Sequence, residues 1–404
     1  TPLMFIFIQQ SLNTDIEINQ NCKSAFGQFT QKFEKHYQND QEQEFAFNTF
    51  CKRFTELKEL VKTCPTCAVT SIYDIPENKL ITSKSKKLRK QSFFNNFVGV
   101  IDCNKEYCFA ENTIPDLTQL PKSVDFRELG LTGKAKAQGG CGSCWAFATS
   151  AALESCLLRD KKHYTAPWHF SPSNISVSEQ FILQNLRDFN SYCAGGDATV
   201  AFWQMAMEQQ TIEIAANFPY APSQSNNVPA EPKLHQDFYN KPFAEFPLHQ
   251  EKTSSTGAIK IFLDEEKSFD QKSITTLKSF LARGFPVMAS MHVRSHGAAF
   301  SSYNGESIFG ANEKCGKFNA DHQVIFMGYG KKNGKEVWIV KNSWGTGWGS
   351  QGFFYVEIGS NAFCIENYAF GVVPKHAEVV DEVFKGDGGV FDIKRGDKNA
   401  LDLD

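Results

Sequence analysis

The sequence predicts an α+β protein. An α-helical N-terminal region of about 120 residues precedes a larger unit, helical in its first half and strand-rich in its second. Three observations carry this. Phe26, Phe29, Phe33 and Tyr37, then Phe47, Phe50, Phe54 and Leu57, recur at three- and four-residue intervals, the spacing of amphipathic helices. "CWAFATSAALESCLL", residues 144–158, is rich in helix formers. "HQVIFMGYGKKNGKEVWIVKNSW", residues 322–344, alternates two apolar runs around Asn333-Gly334, a hairpin signature.

The elements follow in order. Residues 1–24 form an N-terminal arm whose apolar stretch, Leu3 to Ile8, is either the remainder of a trimmed signal peptide or an edge strand. Residues 25–119 hold the two predicted helices, separated by a bend near "QNDQ", residues 38–41. The basic run "SKSKKLRK", residues 83–90, reads as a solvated loop. "ENTIPDLTQLPKSVDF" reads as an extended connector, with a boundary at Gln119 and Leu120. The main unit, 120–374, is expected to hold the helix at Cys144, another at "SVSEQFILQNL", and a shorter one over Ser273–Arg283 stopped by Gly284. The hairpin and a further strand, "GFFYVEIG", come after these. A polar, proline-bearing insertion spans 222–250, and residues 375–404 form a polar, mildly acidic tail.

Composition narrows the function. A net charge of −3 gives no bulk electrostatic case for nucleic acid. No run approaches the roughly 20 apolar residues of a membrane span. Twelve cysteines are too dilute for a small disulfide scaffold but many for a reducing compartment, and the sequon Asn174-Ile175-Ser176 agrees weakly with a secretory route. The expected location is the secretory pathway, a lysosome-like vacuole or the exterior.

Cys141 and Cys144 lie three apart in "QGGCGSCWAF". A four-cysteine zinc site needs a second pair about 15–20 residues away, but the other pair, Cys64-Pro65-Thr66-Cys67, lies far upstream. A redox dithiol usually opens a helix after a strand, and no such strand precedes Gln138. The remaining reading gives the two cysteines different tasks. Cys144 begins a helix, where the dipole favours thiolate, and Cys141 is tied away in a disulfide. A thiolate nucleophile needs a base, and the base needs orienting. "NADHQVIF" puts His322 at the head of one hairpin strand, and "VWIVKNSWG" puts Asn342 at the end of the other, so the two can meet.

With these residues in place, the chain resembles the papain-like cysteine peptidases of the cathepsin L type over about residues 25–374. The resemblance implies a papain-like two-lobe fold, a helical lobe against a β-barrel-like lobe, behind an inhibitory prosegment. It implies protein or peptide substrates and needs no metal or organic cofactor. Cys144 would be the nucleophile, His322 its proton partner, Asn342 the orienting residue and Gln138 an oxyanion donor. Gly142, Gly195, Gly196, Trp344, Asp321, Tyr368 and Ala369 are the positions expected to meet substrate or screen the site, and either Tyr368 or Ala369 would line the pocket for the P2 side chain, two residues before the scissile bond. Neither is acidic, so an apolar or aromatic P2 side chain is expected. Cys141–Cys193 and Cys315–Cys364 would be disulfides. The six upstream cysteines leave two readings open, local bridges Cys64–Cys67 and Cys103–Cys108 or free thiols.

The sequence also departs from the family pattern. His322 follows Cys144 by 178 positions, against about 130–150 in the family. Asn185 stands where a further disulfide cysteine would fall, and its partner is also missing. Cys156 is then expected to be a buried thiol. In the prosegment Glu42, Phe50 and Leu57 fit the family's helical signature, while Ala46 and Arg53 replace its usual residues, and "TSIYD", ending at Asp74, matches a second motif weakly. An alternative reading makes the chain a latent, uncleaved protease serving as a structural component of a larger assembly. Its surfaces would be the N-terminal arm, the 222–250 insertion and the tail.

Overall fold

Asparagine side chains start the two long N-terminal helices of the computed structural model, which describes residues 16–81, 120–159, 171–186, 190–202, 213–221, 257–260, 271–310, 320–367 and 369–373. Asn21 accepts the Ser24 amide at the head of α1 (Cys22–Lys32), and Asn39 accepts the Glu42 amide at the head of α2 (Asp40–Leu60). Each satisfies an amide that the first helical turn leaves without a partner. The bend therefore falls where "QNDQ" predicts it. Phe26, Phe29, Phe50, Phe54 and Leu57 fill a separate small core, with Phe29 and Phe50 ring centres 4.8 Å apart.

A disulfide between Cys22 and Cys51 staples α1 to α2, and Cys64–Cys67 closes the turn after α2. The first pairing was not assigned from sequence; the second was one of two readings. Cross-linking across 29 residues constrains the unfolded chain, a contribution of roughly 3 kcal/mol. The paired replacement Cys22→Ala/Cys51→Ala is therefore expected to lower the unfolding temperature of this helical region. Differential scanning calorimetry of the full chain checks it, and an unchanged transition would show that the aromatic core alone sets stability.

Beyond α2 the chain crosses onto the larger unit. Ala68 donates its amide to Ser302 O at 2.9 Å, Thr70 Oγ1 donates to Ser301 O at 2.7 Å, and the Ser71 amide donates to Gly347 O at 3.1 Å. Tyr73 OH lies 2.6 Å from Ser302 Oγ. Arg53, a departure from the family pattern, donates to Ile72 O at 2.8 Å, and Lys35 pairs with Asp74 at 2.8 Å. These bonds lead to a single helical turn, α3 (Glu77–Leu80).

The larger unit is built on one helix, α4 (Cys144–Arg159), buried at every position from Cys144 to Leu158. A shorter helix, α5 (Glu179–Asn185), packs beside it, its amides capped by Ser178. Among the described residues the sheet has seven antiparallel strands. Short β1 (Val124–Asp125) pairs with β4 (His322–Lys332). The rest run in the order β2 (Gly257–Lys260), β7 (Ala369–Val373), β3 (Val287–Met291), β4, β5 (Lys335–Lys341), β6 (Phe353–Glu357). Helix α6 (Gln271–Ala282) starts two residues before the expected Ser273, and Gly284 stops it with φ 75°. The predicted hairpin turn forms as read, with Asn333 and Gly334 at φ 52° and 78°. The short helix α7 (Gly297–Ser301) presents the carbonyls that receive the N-terminal segment.

Buried Glu154, Glu179 and Lys341 and half-buried Lys136 join helices and sheet. Lys136 lies 2.6 Å from both Glu154 and Glu179, and Lys341 donates to Thr132 Oγ1 and Gly133 O at 3.0 Å each. The arm's residues 1–15, the basic run, Cys103, Cys108, the insertion, Cys315, Tyr368 and the tail lie outside the described residues.

Candidate active site

Gln138, Cys141 and Cys144 come together because the glycine-rich loop is pinned at both ends. Cys141 is bonded to Cys193, and the Gly142 amide donates to Cys193 O at 3.0 Å. The Gln138 amide donates to Ser343 O at 2.8 Å, and its Oε1 accepts from Ser343 Oγ at 2.6 Å. The loop from the helical side is thus tied to the end of β5. Cys144 opens α4, with 3% of its surface exposed.

The sheet supplies the base. His322 opens β4, and Asn342 follows the last residue of β5. His322 Nε2 and Asn342 Oδ1 are 2.8 Å apart, and the same oxygen accepts the Ser343 amide at 2.8 Å. That second bond fixes the oxygen as acceptor, so Nε2 carries the proton and Nδ1 is the basic nitrogen. Nδ1 is buried with no hydrogen-bond partner among the described residues. The backbone N–H of Gln323, the residue directly after His322, acts on the Cys144 thiol in favour of its thiolate. Trp344 covers the imidazole, ring centres 5.3 Å apart, and packs against Trp348 and Phe300.

In this closed chain both partners are neutral. Burial pushes the Cys144 thiol up to about 11, with nearby Asp321 and Asp197 adding to the rise and the Gln323 and Trp145 amides opposing it. Burial also lowers His322 to about 4. The thiolate favoured by the helix dipole is therefore not the resting state here, because desolvation outweighs the dipole.

The N-terminal segment reaches this site. Gln138 Nε2 donates to Cys141 O at 2.8 Å and to Leu80 O at 3.2 Å. Leu80, the last residue of α3, thus puts its carbonyl on the side-chain amide expected to hold an oxyanion. No sequence signal singled out Leu80.

The other predicted positions divide. Gly195 has φ 111°, a conformation that suits glycine. Gly196 lies so close to Asn190 that a Cβ there would meet Asn190 Oδ1 at 2.5 Å. Backbone conformation thus explains Gly195 and packing explains Gly196, while both border the loop that holds Cys193. Asp321 stands beside His322 and accepts the amides of Val293 and Arg294 at 2.7 and 3.1 Å. Ala369 sits fully buried in β7, paired with Ala289, and Tyr368 lies outside the described residues. Cys364 is disulfide-bonded, and Cys156 is a buried thiol bonded to Val372 O. Sequence reading missed Gln323. Its Nε2 donates to Asp197 Oδ1 at 2.9 Å and Ser290 Oγ at 3.0 Å, while Oε1 accepts the Ala198 amide at 2.8 Å, a bridge between helical and sheet sides directly behind Cys144. Among the described residues no group of His, Cys, Asp and Glu could hold a metal ion.

A thiol at a helix start, an imidazole oriented by an amide and a side-chain amide donor define the class of thiol-dependent hydrolases. The comparisons make this specific. The sequence profile "Papain family cysteine protease" matches residues 120–373, and the chain belongs to that family. It is 26% identical to thiol protease aleurain of Arabidopsis thaliana over 339 residues, 83% of this chain and 80% of that one. It is 29% identical to cathepsin K of Mus musculus over 248 residues, 61% of this chain and 62% of the relative. Its fold is similar to that of procathepsin L2 proteinase from Tenebrio molitor larval midgut, at TM-score 0.60 and 23% identity, covering 87% of this chain and all of that one.

Proposed function

We propose that the chain is the proenzyme of a papain-like cysteine endopeptidase whose own residues before Leu120 mask Cys144. The observation that carries this reading is the Leu80 carbonyl seated on Gln138 Nε2, at 3.2 Å, in the site that buries Cys144 and His322. Once the segment leaves, His322 Nδ1 takes the thiol proton. The sulfur attacks a peptide carbonyl, whose oxygen takes the place of Leu80 O. Gln138 Nε2 and the Cys144 amide stabilise the oxyanion. The imidazolium gives its proton to the leaving amine, and water then hydrolyses the thioester. Asn342 keeps Nε2 engaged throughout, and Trp344 shields that bond.

The direction of the masking segment explains why it is held rather than cut. The leaving amine must lie beside His322, on the sheet side, and the acyl part beside Gly195 and Gly196 on the helical side. The segment arrives the other way round. Residues 68–77 lie on the sheet side, at Ser301, Ser302, Gly347 and Gly297, before Leu80 reaches Gln138. Its peptide bonds are reversed relative to a substrate's.

Processing is expected near Gln119 and Leu120, leaving an enzyme that begins at about "LPKSVDF" and runs to about residue 374. The disulfides of the described residues support a route through an oxidising compartment, secretory, vacuolar or lysosomal. Among those residues no helix is long and apolar enough to cross a membrane. An apolar or aromatic P2 side chain remains the expected preference, and a substrate panel favouring Arg there would contradict it. The surfaces of the assembly reading (1–15, 222–250 and the tail) lie outside the described residues, and no observation favours that reading.

Acid quenching of the processed enzyme during turnover of a peptide ester should trap the acyl group on the fragment containing Cys144. An acyl mass elsewhere, or none with turnover continuing, contradicts the proposal. Gln138→Ala is expected to lower kcat by about 10²–10³ with little change in KM, because the donor acts on the oxyanion rather than on bound substrate. Steady-state kinetics check it, and an equal rise in KM with unchanged kcat would assign Gln138 to ground-state binding.

A further inference from the structure

The segment from His292 to Gly297 joins β3 to α7 and carries three side chains able to bear positive charge, His292, Arg294 and His296. Asp321 fastens this rim to the strand of His322. Its carboxylate accepts the Val293 and Arg294 amides, and its Oδ2 lies 3.6 Å from His292 Nε2. The rim is therefore fixed relative to the imidazole that would protonate the leaving amine. The His292 side chain is 34% exposed, Arg294 is exposed, and His296 is half-buried with its ring edge-on to Phe363. Arg294 offsets the charge of Asp321.

The masking segment places a carboxylate at this rim. Glu77 sits so close to Gly297 that a Cβ built on the glycine would lie 2.0 Å from Glu77 Oε1. One helical turn later Leu80 meets Gln138. Glu77 thus lies on the leaving-group side of the expected scissile position. Arg53 of α2 also faces Glu77, but it departs with the masking segment.

We propose that this rim reads the leaving-group side of the substrate, selecting Glu or Asp at the first or second position after the scissile bond, where Glu77 stands in for it in the closed chain. The inference rests on the peptidase reading above and adds the chemical class of preferred substrate. Arg294 and His292 are the selecting residues, and Asp321 positions them.

The test uses the processed enzyme and two sets of quenched-fluorescence peptides, identical but for Glu, Gln or Lys at the first or the second position after the cleaved bond. In at least one set kcat/KM should fall from Glu to Gln by roughly three- to fivefold and again from Gln to Lys, the size of one partly exposed charge pair per step. Arg294→Glu should reverse the order, gaining on Lys what it loses on Glu, a pattern that a folding defect cannot produce. Equal rates for all three residues in both sets, or an equal loss on all three in the variant, would overturn the inference. The same samples are treated with an epoxide thiol probe. Label on Cys144 without a charge preference overturns this inference alone, whereas no label and no cleavage overturns the peptidase reading and this inference with it.

Discussion

Removing the residues before Leu120 is expected to turn an inert chain into an active one, with a gain in peptide hydrolysis of at least about a hundredfold. The closed state combines backbone bonds at Ser302 and Gly347, the Thr70 bond to Ser301 and the Leu80 bond to Gln138. A preference of about 3 kcal/mol for that state leaves roughly 1% of the chain open. Acid should weaken the closed chain. His322 is held near 4 in the fold, below its ordinary 6.5, so the folded chain binds fewer protons than the unfolded one between those values. Its neutral form therefore stabilises the fold fully above pH 6.5, and the contribution, at most roughly 3 kcal/mol, is lost as pH falls through 4. The Cys144 thiol, raised to about 11, works at the other end: its contribution is complete below pH 9 and is lost as pH rises through 11. Unfolding midpoints of the intact chain across pH 4–7 check the acid arm. His322→Gln should lose less stability over that range than the parent. An equal loss would assign the acid sensitivity to other groups.

Cys144→Ala in the processed enzyme should lower kcat by 10⁴-fold or more while leaving the unfolding temperature nearly unchanged, since a small buried thiol is replaced by a methyl group. Adding His322→Ala to that variant should cost little more, because nucleophile and base act as one unit. Hydrolysis of a peptide amide by matched preparations measures both. A residual rate within tenfold of the parent would remove Cys144 from the mechanism.

Much of the site was legible because its chemistry depends on local sequence. Cys144 opens a helix that announces itself by composition, and Asn333-Gly334 forces a hairpin whose register carries His322 to Asn342. The two aromatic helices were legible for the same reason, since Phe26, Phe29, Phe50 and Phe54 follow the helical period. What docks these pieces was not legible. Leu80 looks like any apolar residue of a short helix, and only tertiary packing brings its carbonyl to Gln138. Six upstream cysteines allow many pairings, so Cys22–Cys51 could not be singled out. Nothing in the sequence around Lys136, Glu154, Glu179 and Lys341 says that folding brings half-buried Lys136 between two buried glutamates or buries Lys341. Gln323 was hidden behind its neighbour, because nothing in "DHQ" says that the glutamine spans both sides of the cleft.

The most direct test of the central claim is labelling by an epoxide thiol probe at pH 6 under mild thiol reductant, mapped by mass spectrometry on the intact chain and on the chain cut before Leu120. Little label is expected on the intact chain and stoichiometric label on Cys144 after the cut. Equal labelling of Cys144 in both forms would show that residues 68–81 do not mask it, and no label on Cys144 in either form would show that it is not an active thiol.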